Sequence, residues 1–184
     1  MDVCHYHFMS IFQILKMNLG KTQMARNETD TVRKIVQSLD LLEPERAKFI
    51  ACFAYLLGRA ARADLHISSE ETRTMERILT EIAGLPEDQA IIVVQMAKTQ
   101  NILFGGTENY LVTREFKDVS THQEKIALLD CLYAVAAAGD SISTVEDNEI
   151  SQIADELRVE HRDFISVRSK HRDSLSVFRM DPKP

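Results

Sequence analysis

Two short acidic stretches hold the residues whose types and spacing suit chemistry. The first carries Asp64, Glu70 and Glu71, and the second carries Asp140, Glu146 and Glu149. Each group gathers carboxylate oxygens close to a break in the chain, and oxygen-rich loops favour hard cations such as Ca²⁺ or Mg²⁺. These six are the candidate metal ligands, and a divalent metal ion is the one cofactor the residues suggest. Neither stretch has the D-x-[DN]-x-[DN]-G spacing of an EF-hand. The same acids also have a structural reading. Ser68 with Glu71, and Ser143 with Glu146, are Ser-x-x-Glu capping boxes, and acids in the first turn of a helix complement its dipole. Both readings stand at this level.

Other reactive side chains point to less. His66 lies beside Asp64 as a ligand, a base or an exposed loop residue, whereas His122, His161 and His171 are scattered in polar surroundings. Cys4, His5 and His7 cluster near the start, but a tight site needs about four ligands with a fixed second shell. Cys52 and Cys131 lie in apolar stretches, where a small buried thiol is the usual occupant. With no C-x-x-C pair and no disulfide framework, the chain suits a reducing compartment. There is no phosphate-binding Gly-rich loop, no G-x-S-x-G elbow and no H-E-x-x-H. A hydrolase using paired carboxylates would lack a recognisable nucleophile or base. The expectation is a protein that is not an enzyme, with no catalytic residue.

The elements that must position these acids are helices. Hydrophobic residues make up 45% of the 184, with no Trp, six Gly and four Pro. So few turn-formers favour helices over strands. A first helix is expected over 27–42, with Val32, Ile35, Val36 and Leu39 on one side. Pro44 suits the first turn of the next, whose apolar face is Phe49, Ile50, Phe53, Leu56, Leu57 and Ala60. After Ser68 a third helix buries Met75, Ile78, Leu79 and Ile82, and Gly84 stops it. Pro86 opens a helix whose Ile91, Ile92, Val93, Val94 and Met96 make it nearly apolar all round, the expected most buried element. A short helix over 109–116 follows. Thr121 with Glu124 caps a helix carrying Ile126, Leu129, Leu132, Tyr133 and Ala136, which Gly139 breaks. Ile150, Ile153, Ala154 and Leu157 face inward on the next, and a last helix spans about 160–169. Arg114 and Glu115 read most simply as a salt-bridged helix surface.

A repeat underlies this pattern at an offset of 75 residues. Phe53 and Leu57 match Leu128 and Leu132. Ile67, Ser68 and Glu71 match Ile142, Ser143 and Glu146, and Met75, Ile78 and Ile82 match Ile150, Ile153 and Leu157. Each unit is a helix lined with small residues, an acidic loop, an isoleucine at the staple position, a capping box and a second helix. The fold expected is an all-α bundle of two pseudo-repeated helix hairpins.

The formal net charge is −6. Residues 158–184 hold seven Lys or Arg against four Asp or Glu, a local +3, which leaves −9 on the remainder. An acidic body argues against nucleic acid, because phosphate neutralisation needs a basic face. It suits cations or a basic protein partner. No apolar run reaches the roughly 18 residues a bilayer span requires, and no signal peptide is evident. The expected location is the cytoplasm. Ile11, Phe12, Ile14 and Leu15 form a small amphipathic patch, so membrane contact is peripheral at most. The expected organisation is a leader with a short amphipathic segment over 1–27, a helical domain over 28–170 and a loose tail over 171–184, with Met9 as an alternative start.

These strings resemble a known family. Residues 53–64 (FAYLLGRAARAD), 67–71 (ISSEE), 97–110 (AKTQNILFGGTENY), 114–116 (REF) and 132–146 (LYAVAAAGDSISTVE) look like the tellurite-resistance protein B (TerB-like) family, over about 45–165. The resemblance implies a TerB-like helical bundle, a bacterial cytosolic setting, a link to tellurite or metal-ion stress, and acidic loops that bind metal. The family's usual loop is Ala-Asp-Gly-x-Ile. Here the first loop is Ala63-Asp64-Leu65-His66-Ile67, which keeps the Asp, and the second is Ala138-Gly139-Asp140-Ser141-Ile142, with Asp and Gly exchanged. Two functions follow as expectations. One is a stress-response protein binding divalent metal at the acidic loops. The other is a non-catalytic interaction module with an acidic docking surface and no metal.

Overall fold

A computed structural model describes residues 34–35, 37–61, 69–103, 109–139 and 141–178, except the side chains of 69–71 and 99–103. The amphipathic patch, Asp64, His66, Asp140 and the capping serine Ser68 lie outside the described residues. Among those described, the structure is all-α, and its one β feature is an isolated bridge.

The order is α1 (Pro44–Ala60), α2 (Ser69–Glu81), α3 (Glu87–Leu103), α4 (Asn109–Val119), α5 (His122–Ala137), α6 (Thr144–Glu156) and α7 (His161–Lys170), then two 3₁₀ turns, Arg172–Ser174 and Ser176–Phe178. Helical turns at 34–35 and 37–40 precede α1 and bury Ile35 and Leu39.

Pro44 opens α1, where its missing N–H has no intrahelical acceptor to lose. Thirteen of the seventeen α1 residues are buried, because α1 packs on α3, α4, α5 and α6 together. α1, rather than α3, is therefore the central element. Ile91 on α3 is 40% exposed and Ile92 half-buried, since α3 has α1 and α2 on its inner side and solvent beyond. Phe49 and Phe53 of α1 meet Phe116 of α4 with ring centroids 5.1 and 6.0 Å away. Such pairs add about 0.5–1.5 kcal/mol beyond their buried area.

Helix ends follow local chemistry. Thr121 and Ser143 each accept from the N3 amide while the N3 Glu accepts from the cap amide, so both capping boxes form. Past α2, Gly84 turns left-handed at φ 63° and the Leu85 amide reaches back to the Leu79 carbonyl. α6 ends in a Schellman motif: Val159 N–H donates to Ala154 O at 3.0 Å and Arg158 N–H to Asp155 O at 3.0 Å. The left-handed position there is held by Arg158, at φ 56°.

Two expectations need correction. Residues 171–178 are docked, not loose: Leu175 is 1% exposed and pairs its backbone with Ile142. Leu175 fills an apolar slot of the core beside Ile142, which is itself fully buried. Glu115 does not sit on a helix surface with Arg114. It turns into the core, where its Oε2 lies 2.6 Å from Lys48 Nζ, an ion pair off the hydrogen-bond direction; Arg114 is exposed. As to the repeat, α5 and α6 pack on each other, whereas α2 rests mainly on α3 and α5.

Candidate functional site

The second acidic stretch is described from Ser141 onward, and its carboxylates have partners. Glu146 Oε2 accepts from the Ser143 amide and hydroxyl, both at 2.8 Å. Glu149 Oε1 accepts from Arg59 Nε at 2.5 Å. Glu149 thus joins a buried hub that sequence spacing did not indicate. Arg59, on the last turn of α1, is 1% exposed. Its Nη1 donates to Glu156 Oε2 at 2.7 Å and to Thr113 Oγ1 at 3.1 Å, and its Nη2 to Glu156 Oε1 at 3.1 Å. Glu149 and Glu156 stand seven residues apart, two turns along one face of α6. Burial alone would lower the Arg59 pKa, but bonds from Glu156 and then Glu149 raise it, so the guanidinium stays charged inside the core.

Of the first stretch, Glu70 and Glu71 lie in the first turn of α2 by backbone, with side chains outside the description, as is all of Asp64. The structure therefore places Glu146 and Glu149 three residues apart on α6, but with separate partners. Among the described residues no group of three His, Cys, Asp or Glu is arranged to hold a metal ion. Nor does any helix there have the length and apolar character to cross a membrane.

A second charged cluster gathers where α5, α6 and the C-terminal segment meet. Asp147 accepts from Tyr133 Oη at 2.8 Å and, bidentately, from Arg168 at 2.8 and 2.7 Å. Asp130 accepts from Lys170 Nζ and His171 Nε2, each at 2.6 Å. The His171 ring stacks on Tyr133, centroids 5.7 Å apart and planes at 16°. The His171 hydrogen bond first, then Lys170, holds the Asp130 carboxyl below its ordinary pKa. Arg168 does the same for Asp147, with Tyr133 second. Burial and the Asp147 carboxylate push the Tyr133 phenol well up, so it remains a donor.

Beside this cluster the chain closes on itself. Ile142 N–H donates to Ser174 O at 2.8 Å, and Ser176 N–H donates to Ile142 O at 2.9 Å, a parallel bridge. Phe178, 49% exposed, lies under the Arg172 guanidinium at 4.9 Å. The α5–α6 hairpin thus presents two carboxylates and an apolar slot, both filled by the chain's own cationic segment. Chemically this is a surface that binds cations and an aliphatic side chain. Burial, then Glu115, pushes the Cys52 thiol up to about 12, and burial, then Asp130, pushes Cys131 up to about 12.

Sequence reasoning did not select Asp130 or Asp147. Both are carboxylates bordering apolar runs, a usable signal, but their cationic partners lie 40 or 41 and 21 residues downstream.

Searches of curated proteins and of solved structures gave no match. Residues 49–169 match the family model described as "Tellurite resistance protein TerB".

Proposed function

Because the chain belongs to the tellurite resistance protein TerB family, we propose that it is a non-catalytic docking module whose acidic α5–α6 hairpin receives a basic protein segment, in the cytoplasm, within a tellurite or metal-ion stress response. The observation that carries this reading is the double occupation of Asp130 and Asp147 by the chain's own basic side chains: Lys170 and His171 on one, and the Arg168 fork on the other. A surface that orders two cationic side chains and a histidine with bonds of 2.6–2.8 Å has the charge and geometry for a basic partner. The metal reading has less support on the same helices, since Glu146 and Glu149 already serve the Ser143 cap and Arg59. It rests on Asp64, Glu70, Glu71 and Asp140.

Two titrations test this. An oligolysine peptide added to the ¹⁵N-labelled protein should move the amides of α5 and α6, with binding that weakens steeply as salt rises. Calorimetric titration with Ca²⁺, Mg²⁺, Mn²⁺ and Zn²⁺ should give no saturable heat. Saturable heat that Asp64→Asn abolishes would replace the docking reading with the metal one. Unchanged amides at low salt would end the docking reading.

A further inference from the structure

The C-terminal segment is attached to the hairpin in an unusual way. Among the described residues after Lys170 it holds only two 3₁₀ turns, a helix type whose hydrogen-bond geometry is poorer than that of an α-helix. Both of its backbone bonds to the hairpin fall on the single residue Ile142. One side chain, Leu175, is inserted; Val177 and Phe178 beyond it are 56% and 49% exposed. The remaining attachment is charged, from Lys170 and His171 to Asp130 and from Arg168 to Asp147. Few apolar contacts, few backbone bonds and polar clamps near solvent are the marks of a unit that opens locally, without global unfolding.

What it covers is equally specific. Beneath it lie Ile142, fully buried, the ring of Tyr133, and the carboxylates of Asp130 and Asp147. Lifting the segment uncovers an apolar slot with an unpaired backbone N–H and C=O at Ile142 and two carboxylates alongside. The chemistry that fits is the chemistry that is there: two cations and a histidine followed by a leucine in β conformation, whose flanking backbone bonds to Ile142.

We propose that residues 168–178, the last turn of α7 with the two 3₁₀ turns after it, form an autoinhibitory strap, an internal pseudo-ligand that occupies the docking surface and that a basic, leucine-bearing partner segment displaces. This rests on the docking reading above and adds its regulation and its recognition pattern. A site held closed by its own ligand binds outside ligand more weakly by the fraction of molecules that are open. Releasing the strap therefore raises apparent affinity with no new contact.

The test uses the full chain and two strap variants. Leu175→Asp removes the inserted side chain. Ser176→Pro removes only the amide that donates to Ile142 O; Leu175, at φ −69° and ψ 123°, already has the backbone that precedes a proline. The probe is a labelled synthetic peptide of residues 168–178, followed by fluorescence anisotropy, together with amide exchange at Ile142 and at Leu132 in the α5 core. In the wild type Ile142 should exchange faster than Leu132. Both variants should speed exchange at Ile142, leave Leu132 unchanged and bind the peptide about tenfold more tightly or better, a gain of about 1.4 kcal/mol. Should Leu175→Asp fail to fold, Ser176→Pro decides alone, because it alters no charge and no buried side chain. Equal exchange at Ile142 and Leu132 in the wild type, or no gain in peptide affinity when Ile142 is freed, would overturn the strap. If oligolysine still binds the hairpin in that case, only the strap falls; if neither peptide binds, the docking reading falls with it.

Discussion

Arg59 grips Glu156 through two parallel bonds, Nη1 to Oε2 at 2.7 Å and Nη2 to Oε1 at 3.1 Å, so α1 and α6 meet through a charged fork inside an apolar core. A buried pair of this kind is costly to break on one side, because the remaining charge loses its partner. Arg59→Met should lower the unfolding free energy by about 3 kcal/mol, the lower end of the range for a broken buried pair, since the Glu149 and Glu156 side chains keep some access to water. The double change Arg59→Met with Glu156→Leu should recover part of that loss, the remainder being the cost of leaving Glu149 without its partner. Urea unfolding midpoints of the three proteins check both statements.

Stability should fall in acid through Asp130 and Glu156. The His171 and Lys170 bonds depress the Asp130 pKa. For Glu156, burial alone would raise the pKa, and the Arg59 bonds more than reverse it. A carboxyl depressed in the folded state adds stability above its unfolded pKa, about 3.9 for Asp and 4.3 for Glu, and that stability disappears as pH falls through the folded value. The unfolding midpoint should therefore drop below about pH 4, and Asp130→Asn should flatten the drop. A wild-type profile that stays level from about pH 5 to about pH 2 would contradict this assignment.

Arg158 holds a left-handed backbone at φ 56° without a glycine. That conformation costs an L-residue roughly 1–2 kcal/mol, and a glycine loses about 0.4–1 kcal/mol more unfolded-state entropy. Arg158→Gly should stabilise by about 0.5 kcal/mol, the difference of these terms, while Arg158→Val should destabilise. Thermal unfolding of both variants reads the sign directly.

The thiols of Cys52 and Cys131, pushed by burial to about 12, should resist alkylation at pH 8 in the native protein, because the thiolate is the nucleophile. Peptide mass mapping after iodoacetamide should find both unmodified until denaturant is added. Labelling of Cys131 ahead of Cys52 under native conditions would mean that α5 opens first.

Local chemistry carried the fold a long way. Pro44, Gly84, Thr121 with Glu124 and Ser143 with Glu146 mark helix ends by mechanisms that act within one turn, and each does so in the structure. Phe53, Leu57, Met96, Leu129, Leu132 and Ile153 are buried as their periodicity required; Ile78 and Ile92 are only partly so, because period alone does not say how much of a face a neighbour covers. The charged contacts were another matter. Arg59 stands in an otherwise small and apolar run, which marks a buried cation, but its partners lie 90 and 97 residues away. Leu175 is a lone apolar residue between Ser174 and Ser176, with no period to betray its slot. Of the six proposed ligands, Glu146 was legible as a cap residue from Ser143 alone, and Glu149 was not legible as a partner of Arg59.

The bridge between Ile142 and Leu175 also orders events during synthesis. α1 and α4 share the Phe49, Phe53 and Phe116 cluster, and all of it has been made once Phe116 is in place. The α5–α6 hairpin, by contrast, keeps Ile142 without its backbone partners until Ser174 and Ser176 have been added. A nascent chain that ends between Asp147 and Arg168 carries an uncovered slot and the Asp130 and Asp147 carboxylates without their Arg168 and Lys170 partners.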